Sequence, residues 1–306
     1  MPEGAPERAQ HDLSEQQATL VKAPRREGPC RERMAMTTLQ ALIFDVDGTL
    51  ADTEDLHRRA FNAAFRDAGL KWRWGTTQYS RLLLTSGGRE RIFAHARRHM
   101  PDSGLSATAL DEWAGQLHER KSRLYRQLLA ERPPPLRRGI MRLLDEADGR
   151  GLRLAIATSS SRQNVSALLR HCGYPELEQR FAAIVTGDTV PEKKPAPAVY
   201  RRVLEELRLP AGRCIAIEDT QSGNTAALAA GLRTVITVHR FTRAHEFQGA
   251  SLVLNGLGEP GRPFRVLTGN AGGHSWVGLE LLERIAARDA GGALPRVAEP
   301  AAAREQ

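Results

Sequence analysis

The chain has no apolar run near the roughly 20 residues that a membrane-spanning helix needs, so no helical membrane anchor is expected. No apolar stretch suited to a signal peptide opens the sequence either, and a cytoplasmic location is expected. Aromatic residues make up only 5%, and the basic residues are interleaved with acids on predicted helices rather than gathered in a stripe, which argues against nucleic acid as a partner. Cysteine is scarce: Cys30, Cys172 and Cys214 are an odd number without metal-ligand spacing, so reduced thiols are expected rather than a disulfide framework or a zinc site.

What remains is a soluble, globular profile, 41% hydrophobic and 26% charged over 306 residues. The net charge of +8 implies a mild attraction for anionic substrates. Residues 1 to 38 are rich in Pro, Glu, Arg and Gln without periodicity and are expected to form a disordered tail; their acid content speaks against a transit peptide. The Ala- and Gly-rich residues 289 to 306 are expected to be a second such tail.

Between the tails, two styles of sequence alternate. Leu39 to Phe44 is a short apolar run that predicts a buried strand. Residues 54 to 132 then read as helix, with Ala60, Phe61, Ala64, Phe65 and Ala68 on one face and Leu110, Trp113, Leu117, Leu124 and Leu128 on another. Pro133, Pro134 and Pro135 stop the last helix. Beyond them strands (Leu152–Ala157, Ala182–Val185, Cys214–Ile217, Arg233–Val238) alternate with helices, which predicts an α/β fold with a parallel sheet covered on both faces. The core is therefore expected at 39 to 53 and 133 to 288, interrupted by a helical insertion at 54 to 132.

Ligands of parallel α/β sheets bind at the carboxyl ends of strands, and four predicted strands end in polar residues. The first runs into Asp45-Val46-Asp47-Gly48-Thr49: one carboxylate can act as a nucleophile, the other can move a proton, and Gly48 permits the turn. The second ends in Thr158-Ser159-Ser160-Ser161, whose hydroxyls and amides suit a phosphate. The third leads to Lys193-Lys194-Pro195, a cation able to neutralise a phosphoryl group. The fourth ends in Glu218-Asp219, two acids that would be costly at a buried strand end unless a hard cation such as Mg2+ meets them.

This order of motifs resembles the haloacid dehalogenase-like hydrolase superfamily over about residues 39 to 240. The resemblance implies a Rossmann-like core with an inserted helical cap of the C1 type. It further implies that Asp45 becomes an aspartyl-phosphate and that Asp47 protonates the leaving oxygen and then activates water. Thr158 and the amide of Ser159 would hold the phosphoryl group, and Lys194 would balance its charge. Asp45, the carbonyl of Asp47 and Asp219 would bind Mg2+, with Glu218 close by. Asp47 sets dehalogenation aside, because the dehalogenases lack it.

The segments Ala51-Asp52-Thr53-Glu54-Asp55-Leu56-His57, Trp72-Arg73-Trp74 and Thr85-Ser86-Gly87-Gly88-Arg89-Glu90-Arg91-Ile92 resemble the CbbY-type phosphatases within that superfamily. Such enzymes hydrolyse sugar bisphosphates, notably xylulose 1,5-bisphosphate, an inhibitor of Rubisco. On that resemblance Arg89 and Arg91 are expected to grip the uncleaved phosphate, Glu54 and His57 to bind sugar hydroxyls, and Gly87-Gly88 to let a loop close. Trp72 and Trp74 are expected to be packing residues. A monomer is expected. Two other readings are a β-phosphoglucomutase-like mutase and a non-catalytic phosphosugar-binding protein.

Overall fold

The computed structural model describes residues 39–101, 104–174 and 176–287. The tails expected at 1 to 38 and 289 to 306 lie outside the described residues.

The strands are short and apolar. β1 (Ala41–Phe44) is buried along its whole length. β2 (Arg153–Ala157), β3 (Phe181–Val185), β4 (Cys214–Glu218) and β5 (Arg233–Thr237) join it, then β6 (Leu252–Leu254) and β7 (Val266–Gly269). The sheet order is β3-β2-β1-β4-β5-β6-β7. β1 to β6 run parallel, and β7 pairs antiparallel with β6. The expected parallel sheet thus carries one antiparallel edge strand, and β7 is exposed throughout. β6 is apolar and buried but only three residues long, and solvent-facing β7 has no buried face, so neither stands out as the others do.

Successive side chains of a strand point to opposite faces, and the two faces differ in bulk. Leu42, Phe44, Leu154, Ile156, Ile215 and Ile217 pack with α5 (Ile140–Gly149), α6 (Arg162–His171) and α9 (Leu279–Ala287). Ala41, Ile43, Ala155, Ala157, Ala183 and Ala216 face α7 (Ala198–Leu207) and α8 (Gln221–Ala229). The alanines let those two helices lie close to the sheet.

The helical insertion comprises α1 (Glu54–Asp67), α2 (Thr76–Leu82), α3 (Gly88–His99) and α4 (Ala107–Glu131). Phe61, Phe65, Trp74, Tyr79, Leu83, Ile92 and Leu117 form its own apolar centre. Trp74 is wholly buried there, as a packing residue should be. The inward face of α4 is rotated from the expected one: Leu110, Ala114, Leu117, Lys121, Tyr125 and Leu129 are buried, while Trp113, Leu124 and Leu128 are only partly so. A lysine at the centre of a buried stripe is what an apolar periodicity count passes over. Among the described residues no helix is long and apolar enough to cross a membrane.

Candidate active site

β1 lies between β2 and β4, so the chain order reverses across it and a crevice opens at its carboxyl end. Asp45 stands there. Its amide still bonds Ile217 O at 3.0 Å, so the carboxylate is held by the sheet itself. The chain then turns through Gly48 at φ 88°, a conformation that favours glycine. A Cβ on Gly48 would also come within 2.6 Å of both Asp219 and His239.

Three buried carboxylates, Asp45, Glu218 and Asp219, meet at this point, with donor oxygens within 4.8 Å of one another. One ammonium faces them. Lys194 Nζ donates to Asp45 Oδ1 at 2.7 Å, to Ala157 O at 2.9 Å and to Glu218 Oε1. Burial would lower the Lys194 pKa, but Asp45 and Glu218 outweigh it and hold the amine charged. Burial pushes Asp45 and Asp219 well up, and the neighbouring carboxylates push in the same direction. Three acids against one cation leave uncompensated negative charge in a dry place, the situation that a hard divalent cation with oxygen ligands relieves. The acidic triad can therefore hold a metal ion.

The three acids are not equivalent. Glu218 Oε1 already accepts from Lys194 and Tyr200, and Oε2 accepts from the amides of Asp219 and Thr220. Asp219 accepts one bond on each oxygen, Oδ1 from Thr49 Oγ1 and Oδ2 from His239 Nε2, each at 2.9 Å. Asp45 Oδ2 and a second lone pair on each Asp219 oxygen are thus left to accept a ligand, whereas Glu218, with at least two bonds on each oxygen, mainly positions Lys194. Lys193 points away and pairs with Glu90 of α3 at 2.9 Å, so of the two lysines it is Lys194 that meets the acids.

Asp47 turns towards the helical insertion. Its Oδ1 accepts from Thr53 Oγ1 at 2.6 Å and His57 Nε2 at 2.8 Å, and its Oδ2 from Ser160 Oγ. Burial works against its charge, but the His57 ring and these three hydrogen bonds prevail and hold the carboxyl well below the usual range. His57 is pushed down to about 4 by burial, with Lys121 acting in the same sense and Asp47 against it. Lys121 Nζ lies 2.6 Å from His57 Nδ1, and the His57 ring stacks on Tyr125 at 3.9 Å. Burial brings the Lys121 amine down to about 7. A neutral His57 carrying its proton on Nε2 satisfies both neighbours: Lys121 donates to it, and it donates to Asp47.

Thr158 and Ser159 stand at the end of β2, with Thr158 Oγ1 accepting from the Ser160 amide at 3.2 Å. Ser159 Oγ meets Ser86 Oγ of the insertion at 2.8 Å. Glu54 is buried, accepts from Tyr79 OH at 2.9 Å, and has its pKa raised by burial. Arg91 lines the same cleft while its Nε donates to Thr85 O at 2.8 Å.

Arg89 is the exception. It forms a two-pronged ion pair with Asp111, is 43% exposed, and does not line the cleft. The reason is helical geometry: residues two apart are turned by about 200°, so α3 cannot aim Arg89 and Arg91 at one ligand. His57 differs in emphasis from its expected part, since both ring nitrogens are engaged by protein groups. Ser160, read from the sequence as part of a phosphate-binding run, donates instead to Asp47. His118, Lys121 and His239 stand outside the sequence motifs; His239 follows a strand end and carries that much signal, whereas Lys121 reaches the site only through the packing of α4 on α1.

The cleft is tight. About 80 Å³ is free between Asp45 and the insertion, well below the roughly 300 Å³ at which small-molecule pockets begin. Ser86–Ser159, Glu90–Lys193 and Arg126–Asn164 join the two sides. This is a closed arrangement.

Comparison with known proteins gives the chain a family and several relatives. The model of the family described as haloacid dehalogenase-like hydrolase matches residues 39–231. A protein named CbbY, plasmid, from Cupriavidus necator is 46% identical over 245 residues, 80% of this chain and 95% of its own. The crystal structure of CbbY from Rhodobacter sphaeroides in complex with phosphate is 43% identical, covers 72% of this chain and 95% of its own, and superposes with a TM-score of 0.65. A mutant of that protein in complex with xylulose-(1,5)-bisphosphate is 44% identical, with the same coverage and TM-score.

Proposed function

Because this chain belongs to the haloacid dehalogenase-like hydrolase family and is a phosphoric monoester hydrolase, we propose that its substrate is a small sugar bisphosphate, with xylulose 1,5-bisphosphate the first to test. The observation that carries the reading is the opposition of two aspartates with different surroundings. Asp45 sits among Lys194 and the acids of β4, and Asp47, two residues on, faces the insertion through His57.

In this proposal the Asp45 carboxylate attacks phosphorus and becomes an acyl-phosphate. Asp47 gives a proton to the departing sugar oxygen, then takes one from the water that hydrolyses the intermediate. Asp47 is ionised while His57, Thr53 and Ser160 all donate to it. It must therefore gain a proton when substrate takes the place of one of those donors, and the Lys121–His57 pair is the adjoining source. Thr158 and the Ser159 amide hold the phosphoryl oxygens, and Lys194 balances their charge. Asp45, Asp219 and the carbonyl of Asp47 would hold Mg2+, which when bound supplies charge neutralisation to the carboxylates and the phosphate. Arg91 and Glu54 of the insertion read the rest of the substrate. Residues 54 to 132 act as a cap that opens to admit it, since the closed cleft has no room for a phosphosugar.

The relative solved with xylulose-(1,5)-bisphosphate supports the choice of substrate class. The test is phosphate release from xylulose 1,5-bisphosphate with and without magnesium. Metal-dependent release is expected. No release from any sugar phosphate overturns the proposal, and conversion of β-glucose 1-phosphate to the 6-phosphate replaces it with a mutase.

A further inference from the structure

A second cavity, of about 570 Å³, shares no lining residue with the cleft at Asp45. Its walls come from Thr49 and Asp52 after β1, from Arg137 and Arg138 before α5, and from the chain between β5 and β7. Six arginines line it: Arg137, Arg138, Arg240, Arg243, Arg262 and Arg265. Asp52 is the one acidic residue in its lining.

Two of the six guanidinium groups are spent on the protein. Arg137 donates to Gly48 O, Thr237 O and Val238 O. Arg240 pairs with Asp55 at 3.1 Å and lies over the Phe241 ring. The guanidinium groups of Arg138, Arg243, Arg262 and Arg265 have no hydrogen-bond or ion-pair partner among the described residues. Several other surface arginines are matched, Arg58 with Asp55, Arg142 with Glu259, Arg150 with Glu283, Arg162 with Glu178 and Arg180 with Asp145, while Arg59, Arg73 and Arg201 stand scattered without a partner among the described residues. What sets this cavity apart is that four unmatched guanidinium groups line one concave surface.

We propose that this cavity is a second ligand site, for a compact metabolite carrying two or more phosphate groups. Guanidinium forks match phosphate oxygens in pairs. Four unmatched forks exceed what a single phosphate can satisfy. The volume lies inside the roughly 300–1,000 Å³ range of small-molecule sites. Arg240, Arg243, Arg262 and Arg265 fall beyond the residues 39–231 matched by the family model, so the site is not built from the shared catalytic motifs. Its inner wall nevertheless includes Thr49 and His239, the two residues that anchor Asp219.

The assignment is independent of the substrate proposed for Asp45, and its test reads binding rather than turnover. The full chain is titrated calorimetrically with inorganic pyrophosphate in magnesium-free buffer. Saturable binding is expected, weakened at least tenfold in the triple variant R243A/R262A/R265A at unchanged melting temperature. The variant R243K/R262K/R265K, which keeps the charge but loses the forks, is expected to recover only part of the affinity; it serves as the reference if the alanine variant melts early. Pyrophosphate binding that is equal in all three proteins, or absent at millimolar concentration, overturns the proposal. Displacement of pyrophosphate by ATP or by fructose 1,6-bisphosphate tells a nucleotide from a sugar bisphosphate. Displacement by neither, or tighter binding of a single-stranded oligonucleotide than of pyrophosphate, also overturns it.

Discussion

Asp45 and Asp47 are two residues apart and chemically the same, yet their neighbours separate them. Asp45 is engaged by an ammonium that it shares with Glu218, whereas Asp47 is engaged by hydroxyls and an imidazole. Asp45→Asn should lower turnover to below a few per cent of wild type, because an amide cannot become the acyl-phosphate. Lys194 keeps Glu218 and Ala157 O as partners, so the circular dichroism spectrum should not change. Residual activity above that level would sink the covalent role. Lys121→Met is a different probe: it leaves every carboxylate in place but removes the donor to His57 Nδ1. If Lys121 positions and supplies His57, kcat should fall by about ten- to a hundredfold with a smaller change in KM; equal kcat in the two proteins would assign Lys121 to packing alone. The strand-end motifs made both aspartates, Lys194 and the Glu218-Asp219 pair legible in the sequence, because β-strands end where apolar runs end. Lys121 was illegible, because nothing along the chain relates it to His57, 64 residues away.

At the scale of elements, each strand places one polar group at a fixed point, while each helix of the insertion spreads its residues around an axis. This is why the strand-end groups could be located from the sequence and the cleft-lining residues of the insertion only in part. Arg89 and Arg91 share a segment but not a face. Arg91→Ala should raise KM for a sugar bisphosphate by roughly tenfold, as one charge-assisted contact to phosphate is lost. Arg89→Ala, whose partner is Asp111, should change KM less than about twofold. Steady-state kinetics on the two variants decides, and a reversed order would return Arg89 to the substrate. The helix stripes were similarly half legible: α1 buries Ala60, Phe61, Ala64 and Phe65 as its spacing requires, whereas α4 is turned so that Lys121 faces inward. The strands β6 and β7 left little signal because one is only three residues long and the other has no buried face.

At the scale of the whole molecule, burial of ionisable groups sets how stability responds to pH. His57, His95 and His239 are each pushed down to about 4, first by burial, from an ordinary value near 6.5. The unfolded chain would bind protons on these residues as pH falls through 6.5, while the folded chain resists until about 4. Stability contributed by the three neutral rings is therefore complete above pH 6.5 and is lost progressively between 6.5 and 4. His57 and His239 touch the acids of the active site, so His95 is the cleaner probe. It lies in α3, edge-on to the rings of Trp72 and Trp74. His95→Gln cannot take up that proton. The variant should show a smaller drop in melting temperature between pH 8 and pH 5 than the wild type, whatever packing it loses at pH 8. Because the comparison is a difference of differences, lost ring contacts cancel and only the proton remains. Thermal unfolding at the two pH values measures it, and an equal drop in both proteins would mean that His95 titrates in the folded chain much as it does in the unfolded one.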